Sequence, residues 1–304
     1  MGTSPAERAS RDKKCEKKPI KDLFFRTERD IIMVSMQKKE HVMDIEHFIH
    51  PSKDEQPLET LNPTGGMAAI FRRIACVGDS LSSGELETWD PNGKKVYLDL
   101  FEHSWGQYIA RMTGATVYNF SKGGMTAKEY IEGFGNARNY WDPKLAADAY
   151  IIALGVNDLI GHKQEVGSVA DINREEPGKS APTLAGYLGQ LILRLRTIQP
   201  EAKFFYLTMP HTDPDDHEAL GDAHQKLMYE FAEFFGNSYV IDLRKYGPVY
   251  DEEFKAKFYG GGHLNTLGYY FTALEVASYM DYLIRHNPRD FRETGLAGLP
   301  YTLL

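Results

Sequence analysis

Ile74-Ala75-Cys76-Val77-Gly78-Asp79-Ser80-Leu81 is the stretch that decides the fold. Its first four residues are apolar without a break, and Gly78 ends the run. A strand with one wet face alternates apolar with polar residues. An unbroken run suits a parallel strand covered on both faces. Glycine marks a sharp turn at its end. The Ser80 hydroxyl then stands at the carboxyl end of a strand, where open α/β sheets form their binding crevice. Gly-Asp-Ser is also an ordinary turn sequence, so the tripeptide alone leaves turn and nucleophile both open.

Short apolar runs recur downstream at residues 116–120, 150–154, 204–208 and 239–242. Helical stripes lie between them. Leu184, Tyr187, Leu188, Leu191, Leu195 and Ile198 recur at three- and four-residue spacing, with Thr183 before them and Pro200 after. Leu220, Leu227, Met228, Phe231 and Phe235 mark a second helix. Ala273, Val276, Ala277, Met280, Leu283 and Ile284 mark a third, stopped before Pro288. Such stripes are core faces and carry no chemistry. The alternation predicts an α/β fold, a three-layer α/β/α sandwich around a parallel sheet of about five strands.

Bulk properties bound the rest. The chain has 304 residues, 42% hydrophobic and 26% charged, which suits one large domain with an appendage. Residues 1–70 read as an N-terminal extension, disordered over 1–22 and packing on a main domain over 71–304. Residues 51–57 and 62–66 read as linkers. A formal net charge of −8 argues against a nucleic-acid partner. The basic residues between Arg8 and Lys21 have acids among them and read as a solvated tail. Cys15 and Cys76 are the only cysteines, and Cys76 falls in the first strand. A disulfide framework is therefore not expected, and a reducing compartment fits. Residues 1–30 lack an apolar signal-peptide core, and no stretch is long and apolar enough to span a bilayer. A cytoplasmic protein that does not bind a membrane is the expectation. The oligomeric state stays open.

Three further segments stand at strand ends, as Ser80 does. Asn119-Phe-Ser-Lys-Gly-Gly-Met-Thr126 follows the second strand, and Gly155-Val-Asn-Asp158 follows the third. Gly260-Gly-Gly-His-Leu-Asn265 precedes the last helix. In an open sheet these loops converge on one crevice. A serine, a glycine loop, an asparagine and a histidine are the parts needed for acyl transfer. The hydroxyl needs a base to take its proton, and histidine is the usual base near neutral pH. The attacked carbonyl becomes an oxyanion that needs donors aimed at it. The amides of Ser80 and Gly124 and the side chain of Asn157 are candidates, while Asp158 reads as a helix cap. Neither a GxGxxG nor a GxxxxGK[ST] pattern is present, so no nucleotide cofactor is expected. His211 and His217 flank Asp213, Asp215 and Asp216 without a zinc spacing, which reads as a solvated loop and no metal. His103 and Trp105 read as packing residues.

At Gly78-Asp79-Ser80-Leu81, Asn119 to Thr126, Gly155-Val156-Asn157-Asp158 and His263, the chain resembles the SGNH hydrolases, also called GDSL lipases/esterases. The resemblance covers roughly residues 72–286. It implies a serine esterase with a three-layer α/β/α fold. Ser80 would be the nucleophile, His263 the base, and Ser80, Gly124 and Asn157 the oxyanion donors. One position departs from the pattern. The family carries an aspartate three residues before the histidine, and here that residue is Gly260. Three readings stay open: a backbone carbonyl orients His263, an acid such as Asp251, Glu252 or Glu253 does so, or the site is impaired and only binds. The implied partner is a small-molecule ester, with a short acyl group on a carbohydrate as the first guess. Acyl transfer to another acceptor is the alternative. Residues 82–99, long and polar, read as a specificity loop, and Trp89, Tyr97 and Trp141 lie in or near the loops that should flank the crevice, where aromatic faces suit sugar rings, apolar acyl chains or plain packing.

Overall fold

A computed structural model of the chain describes Ile45, Ile49, Ser52 and residues 54–303. Ile49–Leu304 make one compact unit. The expected disorder over residues 1–22 lies outside the described residues.

Strand β1 (Arg73–Gly78) is followed by an antiparallel ribbon of β2 (Glu85–Trp89) and β3 (Lys95–Asp99). Then come β4 (Thr116–Ser121), β5 (Ala149–Ala153), β6 (Lys203–Leu207) and β7 (Ser238–Ile241). A second, very short ribbon pairs β8 (Tyr259–Gly260) with β9 (His263–Leu264). The helices that matter here are α1 (Ser80–Ser83), α2 (Trp105–Thr113), α3 (Leu184–Ile198), α4 (Glu218–Phe235), α5 (Glu252–Phe258) and α6 (Thr266–His286).

The main sheet has five strands in the order β4-β1-β5-β6-β7, and every pair in it is parallel. The chain runs from β1 to one side, to β4, and then returns across β1 to β5. The switch point of this doubly wound sheet therefore lies between β1 and β5, at their carboxyl ends. All five predicted strands are present to within a residue at each end.

Each strand feeds two cores because successive side chains point to opposite faces. Ala75, Val77, Tyr150, Ile152, Phe204 and Tyr206 pack against Leu184, Leu188 and Leu191 of α3 and Leu227 and Phe231 of α4. Ile74, Cys76, Ile151 and Phe205 pack on the other side against Trp105 and Ile109 of α2 and Tyr269, Ala273 and Val276 of α6. That explains why the strands read as unbroken apolar runs. Each fully buried large side chain contributes about 1.5–3 kcal/mol. The result is a three-layer α/β/α sandwich.

Helix α3 starts where Thr183 Oγ1 accepts the Gly186 N–H at 3.1 Å, a cap worth about 1 kcal/mol. Residues 62–66, read as a linker, form a turn tied to α6. Asn62 N–H donates to Ser278 Oγ and Met67 N–H to Asp281 Oδ1, each at 2.7 Å. Cys76 is buried and unpaired, and burial pushes its thiol up. Among the described residues no helix is long and apolar enough to cross a membrane.

Candidate active site

The switch point is built from close approaches. A Cβ on Gly78 would lie 2.2 Å from Ser82 Oγ and 3.0 Å from the Ala153 carbonyl, so only glycine lets β1 end against β5 and turn. Asp79 then caps α1, its Oδ1 accepting the Leu81 N–H at 3.1 Å. Ser80 is the first residue of that helix and is half-buried. Burial pushes the Asp79 carboxyl up to about 7, so it holds its proton about half the time near neutral pH.

The loop after β4 is laced to this turn. Lys122 N–H donates to the Gly78 carbonyl at 3.3 Å, and Met125 N–H closes a turn on the Lys122 carbonyl at 3.3 Å. Gly124 sits inside that turn at φ 74°, a left-handed conformation that favours glycine, with open space where a Cβ would be. The loop after β5 joins the same network. Asn157 Nδ2 donates to the Met125 carbonyl at 3.2 Å and to Asp79 Oδ2 at 3.4 Å. One side-chain amide thus links the residue before Ser80 to the residue after Gly124. Asp158 is a tether and not the helix cap expected of it. Its Oδ1 accepts the Ala127 N–H at 2.9 Å, and burial pushes its carboxyl up to about 6.

His263 is delivered by the β8–β9 ribbon, in register with Gly260. Asn265 fixes this ribbon to α6. Its Oδ1 accepts the Gly268 N–H at 2.9 Å, and its Nδ2 donates to the Lys257 carbonyl at 2.9 Å and the Tyr259 carbonyl at 3.3 Å. The acids nearest in sequence are engaged elsewhere. Asp251 caps α5 at Phe254, Glu252 pairs with Lys255, and Glu253 pairs with Lys257. None of them reaches His263 among the described residues, which corrects that expectation.

Two other carboxylates surround the imidazole, both from β2. Glu85 Oε1 lies 3.1 Å from Nε2, and Glu87 Oε2 lies 3.8 Å from Nδ1. Nδ1 itself is buried and makes no hydrogen bond. Residues two apart share a ribbon face, and Asp99, Tyr97 and Lys95 stand opposite Glu85, Glu87 and Trp89. Leu86, on the other face, packs on the core and holds the ribbon down. The Tyr97 ring meets the imidazole edge-on, with centroids 5.7 Å apart. Burial pushes the Glu85 carboxyl up, and the nearby His263 opposes that push. Lys95, and then the Gly262 amide, hold the Glu87 carboxyl below the usual range. Among the described residues no hydrogen bond joins Ser80 Oγ to His263, and Nε2 faces Glu85.

Residues 76–271 match the GDSL-like lipase/acylhydrolase family. The chain belongs to that family. It is accordingly a hydrolase of ester bonds. Among curated proteins, none matches this acylhydrolase. Among solved structures it is similar to a family 3 carbohydrate esterase from Clostridium thermocellum (15% identity, 70% of this chain and 97% of that one, TM-score 0.46). It is also similar to a family two carbohydrate esterase from the same organism in complex with cellohexaose (14% identity, 78% and 66%, TM-score 0.49). A third is a family 2 carbohydrate esterase with a carbohydrate-binding domain from Corynascus thermopiles (18% identity, 70% and 66%, TM-score 0.45).

Sequence reading missed the two acids of the acylhydrolase's β2. The segment over 82–99, read as a loop, is a ribbon turned at Asp90-Pro91-Asn92-Gly93. Asp90 Oδ1 accepts the N–H groups of Asn92 and Lys94 at 2.8 and 2.9 Å. Asn-Gly between alternating residues is a hairpin signal that could have revealed it. Trp89 and Tyr97 are exposed on this ribbon. Trp141 is instead a packing residue. Its Nε1 donates to Asn136 Oδ1 at 2.9 Å, and the Arg194 guanidinium lies 4.2 Å over its ring. His211 pairs with Asp215 at 3.6 Å, and among the described residues no three His, Cys, Asp or Glu side chains gather as a metal site would require. An apolar cavity of about 50 Å³ lies beneath α1, lined by Leu81, Leu154, Val156, Met209 and Leu264 among others. A groove of about 180 Å³ shares Leu81, Val156 and Met209 with it and runs past Ile160 and Pro210.

Proposed function

We propose that this acylhydrolase is a serine esterase working through an acyl-enzyme at Ser80, with His263 as the base. The observation that carries the reading is the Asn157 amide, bonded at once to Asp79 beside Ser80 and to Met125 beside Gly124. It draws the nucleophile turn and the glycine turn together at the switch point, where a reacting carbonyl would sit.

The Ser80 oxygen attacks the ester carbon while its proton passes to His263 Nε2. The carbonyl oxygen takes the negative charge and is met by the N–H groups of Ser80 and Gly124 and by the Asn157 amide. As the carbon–oxygen bond to the alcohol breaks, the imidazolium gives its proton to the leaving oxygen. Water, losing a proton to the same nitrogen, then attacks the acyl-enzyme. Collapse releases the acid and returns the proton to Ser80. In the resting crevice Glu85 occupies Nε2, so substrate entry has to move that carboxylate aside.

A short acyl group on a carbohydrate is the substrate we infer. The apolar cavity beneath α1 is lined by Asp79 and Leu81, the residues on either side of Ser80, and offers an apolar recess for a short acyl group. Exposed Trp89 and Tyr97 offer flat apolar faces beside the site, which suit a sugar ring. The test is hydrolysis of a short-chain aryl ester and of acetylated sugars by the parent and by Ser80→Ala. Turnover should vanish in the variant. Equal turnover in both would remove Ser80 from the chemistry.

A further inference from the structure

Resting on the Ser80–His263 reading, we propose that Glu87 is the positioning residue for His263. It would do from the β2–β3 ribbon what Gly260, lacking a side chain, cannot do from the histidine's own loop.

Three contacts single out Glu87. Its Oε2 accepts the Gly262 N–H at 3.0 Å, one residue before His263, and the same oxygen faces Nδ1 at 3.8 Å. One carboxylate oxygen therefore addresses both the backbone and the ring of the histidine segment. Its other oxygen is clamped by Lys95 Nζ at 2.5 Å. The side chain is only 6% exposed, so it has little freedom to turn away. The local backbone is shaped around it. A Cβ on Gly261 would lie 2.6 Å from Glu87 Oε1, and one on Gly262 would lie 2.9 Å from Oε2. The two glycines that form the β8–β9 turn make the space that Glu87 fills.

Glu85 is the other carboxylate in reach, but it sits on Nε2, the nitrogen that must face Ser80 during reaction. A group that orients the ring has to work from Nδ1. There it favours the tautomer with its proton on Nδ1, leaves the Nε2 lone pair for the serine, and stabilises the imidazolium that forms. Catalytic hydrogen bonds are often long before substrate binds and tighten in the complex. The groups facing His263 are Glu85 and Glu87 from β2 and Tyr97 from β3. Lys95 acts through Glu87, and Asp99 stands across from Glu85.

The experiment compares full-length parent, Glu87→Gln, Glu87→Asp and Glu85→Gln on a short-chain aryl ester across pH. Glu87→Gln should lose kcat by roughly 10²–10³-fold with a much smaller change in KM. Its acid limb in kcat/KM should move to lower pH, because a negative charge beside the imidazolium is gone. Glu87→Asp should recover part of the loss. In the parent with a non-hydrolysable ester analogue in the crevice, so that Glu85 has left Nε2, nitrogen NMR of the neutral imidazole should show the proton on Nδ1, a readout that does not depend on any variant folding. Full kcat in Glu87→Gln with an unmoved pH profile would overturn the assignment. So would a loss confined to Glu85→Gln, or a proton found on Nε2. Activity surviving Ser80→Ala would instead sink the reading beneath it, which keeps the two failures apart.

Discussion

Glu85 Oε1 stands 3.1 Å from His263 Nε2, and the Cβ that Gly123 lacks would lie 2.0 Å from the other oxygen of the same carboxylate. Glu85 thus lies between the glycine turn and His263, across the crevice we propose for the ester. Replacing it with Gln keeps the shape and removes the charge. Glu85→Gln should lower KM for a neutral ester a few-fold, because an amide yields Nε2 more readily than a carboxylate. Steady-state kinetics on an uncharged aryl acetate reads this. An unchanged or higher KM would mean that Glu85 does not obstruct the crevice.

Asn157 makes a different prediction. If its amide turns from Asp79 to the oxyanion, Asn157→Ala should cost kcat roughly 10²–10³-fold, since that is the usual effect of losing one such donor. KM should change little. The variant gives up both of its bonds, at 3.2 and 3.4 Å, each worth about 1 kcal/mol, so the melting temperature should fall by roughly 4–8 °C. A large loss of stability with kcat preserved would make Asn157 a strut and not a donor.

The fold was legible because both helix and strand signals here are apolar signals. Leu184 to Ile198 repeat at helical spacing, and α3 has those bounds. Ile74 to Val77 are apolar on both sides, and β1 is buried on both faces. Ser80, Gly124 and Asn157 follow β1, β4 and β5 and were placed by the same signal, whereas His263 lies in the β8–β9 ribbon, which no apolar run revealed. The β2–β3 ribbon was not legible either, because Glu85, Glu87 and Asp99 give one of its faces a polar pattern that reads as solvated loop. Glu85 and Glu87 are partly covered by the histidine loop, and Gly262 and Glu87 are 175 residues apart in sequence. Local periodicity holds no record of such a contact. Gly260 announced a missing acid, but only the three-dimensional arrangement shows which carboxylates surround the imidazole.

Away from the crevice, Glu275 on α6 is 1% exposed, and neither of its carboxylate oxygens has a hydrogen-bond partner among the described residues. Burial pushes its carboxyl from an ordinary 4.5 up to about 8. A carboxyl whose pKa is higher in the folded state stabilises relative to the unfolded chain at low pH. That contribution is lost as pH rises from about 4.5 to about 8, because the unfolded chain releases the proton first. The loss is on the order of 5 kcal/mol. Asp79 and Asp158, raised to about 7 and about 6, act in the same direction. Denaturant unfolding of Glu275→Gln at pH values below 5 and near 8 should show the variant gaining on the parent as pH rises. Parallel stability curves would mean that Glu275 is not buried as a neutral acid.

The most direct test of the whole account is covalent. An aryl fluorophosphonate should phosphonylate the active protein once, and peptide mass mapping should place the adduct on Ser80. Activity should fall in step with labelling, and Ser80→Ala should take up no label. A fully inhibited protein with its adduct on any residue other than Ser80, or one that keeps full ester hydrolysis with Ser80 blocked, would contradict it.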